Sequence, residues 1–578
     1  MKMNTINKFL LYLFFCLAAG ACEEILEPEE SNIYTKDRIN NDPLFAEGIM
    51  LRAYTSLPTS YGSEDAATDD AVSNNKTSAY LRMATGQWAA NYDPLSIWSA
   101  CYNAVFNVNY FLSIVDDASW SWESVVRNEM FKRRLKGEAY ALRAFHHMRL
   151  LMYYGGIATD GTLKGVPYVT EVLDPETDGW KKSRETYQGC VDKIMADFDK
   201  ATALLPYKWV NIAGYDDSTT VYGVHNKNRI NSQIVKALKA RLALHIASPA
   251  YNNGAYDAAK CAAAATLAGE MLAEIGGTSG LNAAGIAFYD ADNDINIAEI
   301  LWRNNAYSSR SKESQCFPPS LYGNGDINPT QNLVDAFPMK NGYPILADGS
   351  GYNPDKPYAD RDPRLALYIL YDGNKLGSTT IGTHVDDPSN GINRLTTSTR
   401  TGYYLRKMLR PDVNLNPASP TSKTHIYNHV RYTELFLIYA EAANQAWGPD
   451  GDPNGYGFTP RTVLRAIRNR AGITPAEDPY LASLMTKDAM AGLIRNERRL
   501  ELCFEGFRFQ DLRRWKLNLA ETATGVEIVK TVVDGAVVDT TFTKINVESR
   551  NYQPYMYYAP IPNTEILKNE NLLQNQGW

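Results

Sequence analysis

The sequence predicts a mainly α-helical protein in which pairs of helices form a scaffold, with a loop-rich variable lobe and a few short strands or hairpins. Apolar residues recur at helical spacing in several segments. One such series is Val191, Ile194, Phe198, Ala201 and Leu205. Residues 275–422 are instead rich in Gly, Pro, Asn and Asp and poor in helical periodicity. Without a linker-like change in composition, we expect one domain over residues 42–578.

The first forty residues have the pattern of an exported lipoprotein. Lys2 and Lys8 precede an apolar run over 9–19 that is too short to span a bilayer, which predicts a signal peptide over 1–21. Small residues then lead to Cys22, as in a bacterial lipobox, so we expect lipidation there. Ordinary signal cleavage is the alternative, because Ala19 stands where leucine is usual. Five glutamates follow the cysteine, which predicts a solvated acidic tether over 22–41.

The predicted helical scaffold occupies residues 42–274. Helical periodicity is found over 42–54, 92–114, 131–154, 191–205, 234–246 and 257–273. Small residues at the expected crossings favour hairpins of the tetratricopeptide type, which stack because no single hairpin covers its own apolar face. An insertion over 155–183 breaks the repeat, so the hairpins are degenerate. The polar segment 58–90 predicts a long functional loop.

The C-terminal part, residues 423–578, contains a charged helix that should face the protein interior. Leu493, Glu497, Leu500, Glu501 and Phe504 fall on one helical face, and several arginines surround them. We therefore predict a buried structural ion network formed by Glu497, Arg498, Glu501, Glu505, Arg508, Asp511 and Arg514. Paired carboxylates also occur in glycoside hydrolases, but arginines at this density should lower the carboxyl pKa values and make general acid catalysis unfavourable.

The stretch Glu-Arg-Arg-Leu-Glu-Leu-Cys-Phe-Glu-Gly-Phe-Arg-Phe-Gln-Asp-Leu-Arg-Arg-Trp over 497–515 resembles the C-terminal signature of the SusD/RagB family. The segments at 136–145, 248–254, 431–444, 467–472, 558–566 and 571–578 extend this resemblance in the family's order. The resemblance implies four tetratricopeptide-type units and a glycan-binding lipoprotein at the cell surface, lipid-anchored in the outer membrane. It also implies a SusC-like TonB-dependent transporter as the partner, for which this protein acts as a lid.

Other classes of protein have little support in the sequence. The formal net charge of −7 and the lack of a Lys/Arg-rich run argue against nucleic acid as a partner. Residues 290–296 alternate carboxylates as in a calcium loop, but Ile295 replaces the required glycine. We therefore predict no metal, no cofactor and no enzymatic activity. A surface glycoside hydrolase and a tetratricopeptide-type scaffold that binds peptides or proteins remain the alternatives.

A glycan site needs aromatic platforms with polar groups beside them, because sugar rings combine apolar faces with a rim of hydroxyls. Aromatic residues in polar loops have the greater chance of exposure, although each ring could instead seal its loop against the helices. On this basis the candidate glycan-binding residues are Tyr80, Arg82, Trp88, Tyr307, Arg310 and Tyr322.

Overall fold

The computed structural model describes residues 42–61, 63–95, 97–174, 176–285, 289 and 296–578. The predicted signal peptide, Cys22, the acidic tether and residues 290–295 of the calcium-type segment lie outside them. The α-helices of the described residues are α1 (Pro43–Thr55), α2 (Ala79–Arg82), α3 (Trp98–Ile114), α4 (Val125–Tyr154), α5 (Tyr187–Leu204), α6 (Asp216–Tyr222), α7 (Ser232–Ala247), α8 (Ala258–Glu274), α9 (Ser311–Cys316), α10 (Gln331–Ala336), α11 (Pro363–Tyr368), α12 (Tyr432–Trp447), α13 (Pro460–Ala471), α14 (Pro479–Ser483), α15 (Lys487–Leu502), α16 (Arg508–Arg514) and α17 (Asn563–Lys568).

The strands are mostly short and pair two by two, all antiparallel. They are β1 (Ala71–Ser73), β2 (Gly156–Ile157), β3 (Leu163–Lys164), β4 (Ile300–Arg303), β5 (Tyr307–Ser309), β6 (Ile327–Pro329), β7 (Ile369–Leu370), β8 (Lys375–Leu376), β9 (Thr379–Thr380), β10 (Tyr404–Leu405), β11 (Lys423–His425), β12 (Asn428–Arg431), β13 (Ala523–Val533) and β14 (Ala536–Glu548). The pairs are β1–β6, β2–β3, β4–β12, β5–β11, β7–β10, β8–β9 and β13–β14. The mainly α-helical prediction is confirmed.

Two of the scaffold helices begin at residues other than those expected, one because of a polar N-cap and one because of a proline. The Ser124 side chain accepts a hydrogen bond from the Arg127 amide at 3.1 Å, so α4 starts before the expected residue 131. Pro94 and the polar turn around it delay α3 to Trp98. Each of these helices then packs on its neighbour in the chain, α3 on α4 and α4 on α5. Further along, α7 packs on α8, α8 on α12, and α12 on both α13 and α15.

Two large apolar clusters form the interior. The first joins the scaffold helices to the C-terminal helices and includes Phe145, Leu238 and Phe436. The second fills the variable lobe and includes Phe317, Phe337 and Tyr404. Leu500, Cys503 and Phe504, at and just beyond the end of α15, belong to the second cluster, whereas Leu493 and Ile494 on the same helix belong to the first. The helix α15 therefore connects the two interiors.

The seven residues of the predicted ion network are all buried and all have partners of opposite charge. Glu501 accepts from Arg364 Nη1 at 3.0 Å and from Arg470 Nη2 at 2.9 Å. Asp511 accepts from Arg498 Nε at 2.8 Å and from Arg514 Nε at 2.7 Å. The other pairs are Glu497 with Arg364 and Arg468, Glu505 with Arg431 and Lys407, Arg508 with Asp69, and Arg514 with Glu441.

Most cations that pair with the glutamates of this network come from distant segments, not from the neighbouring arginines that the sequence suggested. Burial alone would raise the pKa of Glu501, but the guanidinium groups of Arg470 and Arg364 hold it well below its usual value. Arg513 has no carboxylate partner among the described residues and stacks on Phe509 with its Cζ 3.4 Å from the ring centroid. Burial lowers the pKa of Arg513 to about 10.

The prediction of a long loop over 58–90 is wrong in its middle part. Residues 65–74 are buried and contain a short 3-10 helix and β1. The cause is charge pairing, because Asp69 receives two hydrogen bonds from Arg508 and Asp70 receives one from Arg499 at 2.6 Å. Arginines of the C-terminal segment therefore hold residues 65–74 inside the protein. The residues that follow directly, 75–77, are exposed.

The Asp534-Gly535 pair between two runs rich in Val and Thr predicts a hairpin over residues 526–545. A long hairpin, β13–β14, is present there and projects from the C-terminal part. Asp534 and Gly535 form its turn with φ angles of +50° and +80°. Most of the hairpin tip is exposed. Within the described residues, none of the helices combines the length and the apolar character that a bilayer crossing requires.

Candidate binding cleft

A cleft of about 1150 Å³ opens on the surface of the variable lobe. Three segments line it: residues 74–77 after β1, residues 310–326 around α9, and residues 393–400 before β10. We call it the polar cleft, because all of its described lining residues except Leu395 are polar or charged. They are Asn74, Asn75, Lys76, Thr77, Arg310, Ser311, Ser314, Gln315, Asn324, Asp326, Asn393, Arg394, Leu395, Thr396, Thr397, Ser398 and Arg400.

Hydrogen bonds hold the three segments of the polar cleft together. The pairing of β1 with β6 places residues 74–77 beside residues 324–326. Asn74 Nδ2 then donates to the carbonyl oxygens of Asn324 at 2.9 Å and Ser398 at 3.4 Å. Arg400 Nη1 donates to the carbonyl oxygen of Ser73 at 2.8 Å. Hydrogen bonds therefore connect the walls before any ligand binds, so binding loses less conformational entropy in these loops.

One glycine sets how closely two walls of the polar cleft approach. Gly325 has φ +56°, and a Cβ atom there would lie 2.4 Å from the carbonyl oxygen of Thr397. Any side chain at this position would push the 393–400 segment away and would be strained in the left-handed conformation. Gly325 thus fixes the width of the cleft on this side.

The lining presents exposed hydrogen-bonding groups rather than a catalytic set. Asn75, Thr77, Asn324, Asn393 and Thr396 are exposed, and their amides and hydroxyls can both donate and accept. The volume exceeds the 300–1000 Å³, roughly, of an ordinary small-molecule pocket. The arrangement therefore suits an extended ligand that carries many hydroxyl groups.

The described lining of the polar cleft contains neither a pair of carboxylates for hydrolysis nor a set of metal ligands. Asp326 is the sole carboxylate among the described lining residues, and it accepts hydrogen bonds from the Ser73 hydroxyl and from Gln315 Nε2, the latter at 2.7 Å. Glycoside hydrolysis uses two carboxyl groups in one site. In the part of the chain that the structure describes, no group of three or more His, Cys, Asp and Glu residues could hold a metal ion.

Of the predicted glycan-binding residues, Arg310 lines the polar cleft and Tyr322 lies beside its lining. Arg310 is exposed immediately before α9. Tyr322 comes two residues before Asn324 and is 59% exposed. Its φ of +64° is rare for a large side chain. The backbone thus holds the Tyr322 ring toward solvent in a conformation that few tyrosines adopt.

Two further candidates are accessible but do not line the cleft. Tyr307 is 40% exposed, and its hydroxyl donates to the Thr59 carbonyl oxygen at 3.3 Å. Arg82 is partly exposed at the end of α2. Both residues lie outside the lining of the polar cleft.

The expectation of an exposed ring is wrong for Trp88, and Tyr80 is only partly exposed. Trp88 is 3% exposed, and its ring centroid lies 4.8 Å from that of Trp578 and 6.1 Å from that of Phe509. The C-terminal tail and α16 therefore cover Trp88. Tyr80 is partly buried and packs against both apolar clusters. Tyr80 and Trp88 seal their segment against the core.

The first wall, residues 74–77, and the third wall, residues 393–400, contain none of the candidate residues predicted from the sequence. The third wall is rich in Thr, Ser and Asn, a composition that also describes many solvated loops. It has no aromatic residue, so the criterion of an aromatic ring in a polar loop does not apply to it.

A second depression differs from the polar cleft in having aromatic residues in its lining. It measures about 360 Å³ and lies between α3, the segment 167–182 and α17. Aromatic residues contribute much of its lining, namely Trp98, Tyr102, Phe106 and Trp180. We call it the aromatic groove. Phe106 is 50% exposed, so the aromatic groove offers an accessible ring beside its polar lining residues.

The chain matches two related family models. The model described as "SusD family" matches residues 298–578, and the one described as "Starch-binding associating with outer membrane" matches residues 29–223. SusD-like protein P38 of Formosa agariphila is 21% identical over 538 residues, which cover 89% of this chain and 92% of that protein. The helical scaffold and the loop-rich lobe are consistent with both family matches. The chain belongs to the SusD/RagB family.

Solved structures share the fold over nearly the whole chain. A SusD-like protein of Bacteroides fragilis superposes with a TM-score of 0.68 at 23% identity, covering 95% of this chain and 100% of that chain. A SusD-like carbohydrate-binding protein of the same species gives a TM-score of 0.70 at 20% identity, covering 92% and 99%.

Proposed function

We propose that this protein is a surface-exposed, lipid-anchored glycan-binding protein of the outer membrane that captures an oligo- or polysaccharide in the polar cleft. It delivers the glycan to a SusC-like TonB-dependent transporter, over which it acts as a lid, and it catalyses no reaction. The observation that carries the proposal is the preformed cleft lined by amide and hydroxyl groups. The SusD-like relatives, one of which is described as carbohydrate-binding, support it.

A glycan panel and calorimetry test the proposal. We expect the purified protein to bind at least one glycan of the panel without releasing reducing ends. Release of reducing ends would identify a glycoside hydrolase instead. Binding of peptides but of no glycan would identify a tetratricopeptide-type scaffold.

Replacing Tyr322 with Ala should weaken glycan binding by about 1–3 kcal/mol, because a large exposed ring loses its apolar contact with the sugar face. Asn324→Ala should weaken it by about 0.5–1.5 kcal/mol through a lost hydrogen bond. Tyr215→Ala is the matched control, since Tyr215 is 66% exposed and, unlike Tyr322, belongs to none of the three segments that line the polar cleft. If both cleft variants bind as tightly as the Tyr215 variant, the polar cleft is not the glycan site.

The anchor is tested at Cys22. We expect Cys22→Ala to abolish lipid labelling and to move the protein from the outer-membrane fraction to the soluble fraction, with an unchanged circular dichroism spectrum. The unaltered protein in the membrane fraction should co-purify with a β-barrel transporter. Membrane attachment and lipid labelling of the Cys22→Ala variant would contradict the lipoprotein assignment, and a membrane-bound protein without a barrel partner would contradict the lid.

A further inference from the structure

The polar cleft carries a local positive charge. Lys76, Arg310, Arg394 and Arg400 line it, against the single carboxylate of Asp326 among the described lining residues. The chain as a whole has a formal net charge of −7. The polar cleft is therefore opposite in sign to the protein that surrounds it, and a concave site concentrates such a field.

Two charged residues of the lining already have partners. Asp326 accepts hydrogen bonds from Ser73 and Gln315, and Arg400 Nη1 lies 2.7 Å from Glu548 Oε2. The other three cations, Lys76, Arg310 and Arg394, are exposed. None of these three forms an ion pair with a residue in the described ranges of the chain. Their charge is available to a ligand.

These three cations come together through tertiary structure and not through a basic run of sequence. Lys76 lies in the turn after β1, and Arg310 lies between β5 and α9. Arg394 lies in a turn closed by its own amide, which donates to the Gly391 carbonyl oxygen at 3.0 Å. The hydrogen bonds of Asn74 to residues 324 and 398 hold the segments that carry them. Each wall of the polar cleft thus contributes one exposed cation.

We infer that the glycan bound in the polar cleft is anionic and carries carboxylate or sulfate-ester groups. This inference rests on the proposed function and names its ligand class. Guanidinium groups bind such oxyanions through two parallel hydrogen bonds, and an ammonium group adds a point charge. The exposed amides and hydroxyls of Asn75, Thr77 and Asn393 serve the sugar hydroxyls between the charged groups.

Matched glycan pairs test the inference by calorimetry on the purified protein. One pair is an oligogalacturonate and its carboxyl-reduced, neutral form, and the other is a sulfated galactan oligosaccharide and its desulfated form. We expect the charged member of at least one pair to bind about tenfold or more tightly than its neutral member, with an advantage that falls as salt is raised. The pair that shows the preference identifies carboxylate or sulfate as the recognised group.

Substitutions that remove a positive charge test whether the cleft residues cause the preference for the charged glycan. Arg310→Gln and Arg394→Gln should each reduce affinity for the charged member several-fold more than they reduce affinity for the neutral member. Arg52→Gln is the control, because Arg52 is an exposed arginine on α1 outside the cleft. Equal binding of charged and neutral members, or a preference that survives both cleft substitutions, would overturn the inference and leave glycan binding standing. Failure of every glycan, neutral ones included, would overturn the proposed function as well.

Discussion

Replacing Glu501 with Ala should lower the free energy of unfolding by about 3–5 kcal/mol, which is the cost of leaving buried charges without their partner. Glu501 is 2% exposed and lies within 3.0 Å of the guanidinium groups of both Arg364 and Arg470. Without the Glu501 carboxylate, Arg470 loses its ion-pair partner among the described residues. Arg364 loses one of three carboxylate partners and keeps Asp362 and Glu497, and both charges stay in a largely buried site. Chemical denaturation followed by circular dichroism measures the loss.

Asp511→Ala should lower the free energy of unfolding by a similar amount, because Asp511 pairs with both Arg498 and Arg514 in the same buried region. Glu477→Ala is the matched control. Glu477 is an exposed glutamate in the connection before α14, and its replacement should change stability by no more than about 0.5 kcal/mol. If the Glu501 and Asp511 variants are as stable as the control but an enzymatic activity is lost, the network is catalytic and our structural assignment is wrong.

Glu441 should make the stability of the fold depend on pH. Its carboxylate accepts hydrogen bonds from Arg514 Nη2, Trp515 Nε1 and the Tyr256 hydroxyl, each at 2.8 Å. Burial alone would raise its pKa, but Arg514 lowers it from the ordinary 4.5 to about 2. The folded state therefore holds the Glu441 proton more weakly than the unfolded state does.

The sign of this dependence follows from linkage. A carboxyl with a lowered folded-state pKa stabilises the protein fully above pH 4.5, and this contribution disappears as the pH falls toward 2. The shift corresponds to about 3 kcal/mol at neutral pH. The stability difference between the unaltered protein and Glu441→Gln should therefore shrink between pH 4.5 and 2, while that for Glu477→Gln stays small throughout. A Glu441→Gln difference that is the same at pH 7 and pH 3 would contradict this account.

Local patterns predicted the parts of the fold that depend on local chemistry. The spacing of Glu497 and Glu501 with apolar residues placed both carboxylates on the buried face of α15. The Asp534-Gly535 pair predicted the turn of the β13–β14 hairpin. Partner choice was not predictable in this way, because Arg364 reaches α15 from the variable lobe through tertiary packing.

The candidate site was less accessible to sequence reasoning, since its three walls are far apart in the chain. Arg310 was found because it lies in a polar irregular segment, and it does line the polar cleft. Trp88 lies in a segment of the same composition, yet the C-terminal Trp578 covers it. Composition cannot distinguish these two cases, because what covers a ring is decided by a segment hundreds of residues away.

A crystal structure of the protein with the tightest glycan from the panel tests the central claim most directly. We predict sugar density in the polar cleft between residues 74–77, 310–326 and 393–400, with the Tyr322 ring against a sugar face and a charged sugar group beside Arg310 or Arg394. Sugar density in the aromatic groove lined by Trp98 and Trp180, with the polar cleft empty, would contradict the assignment.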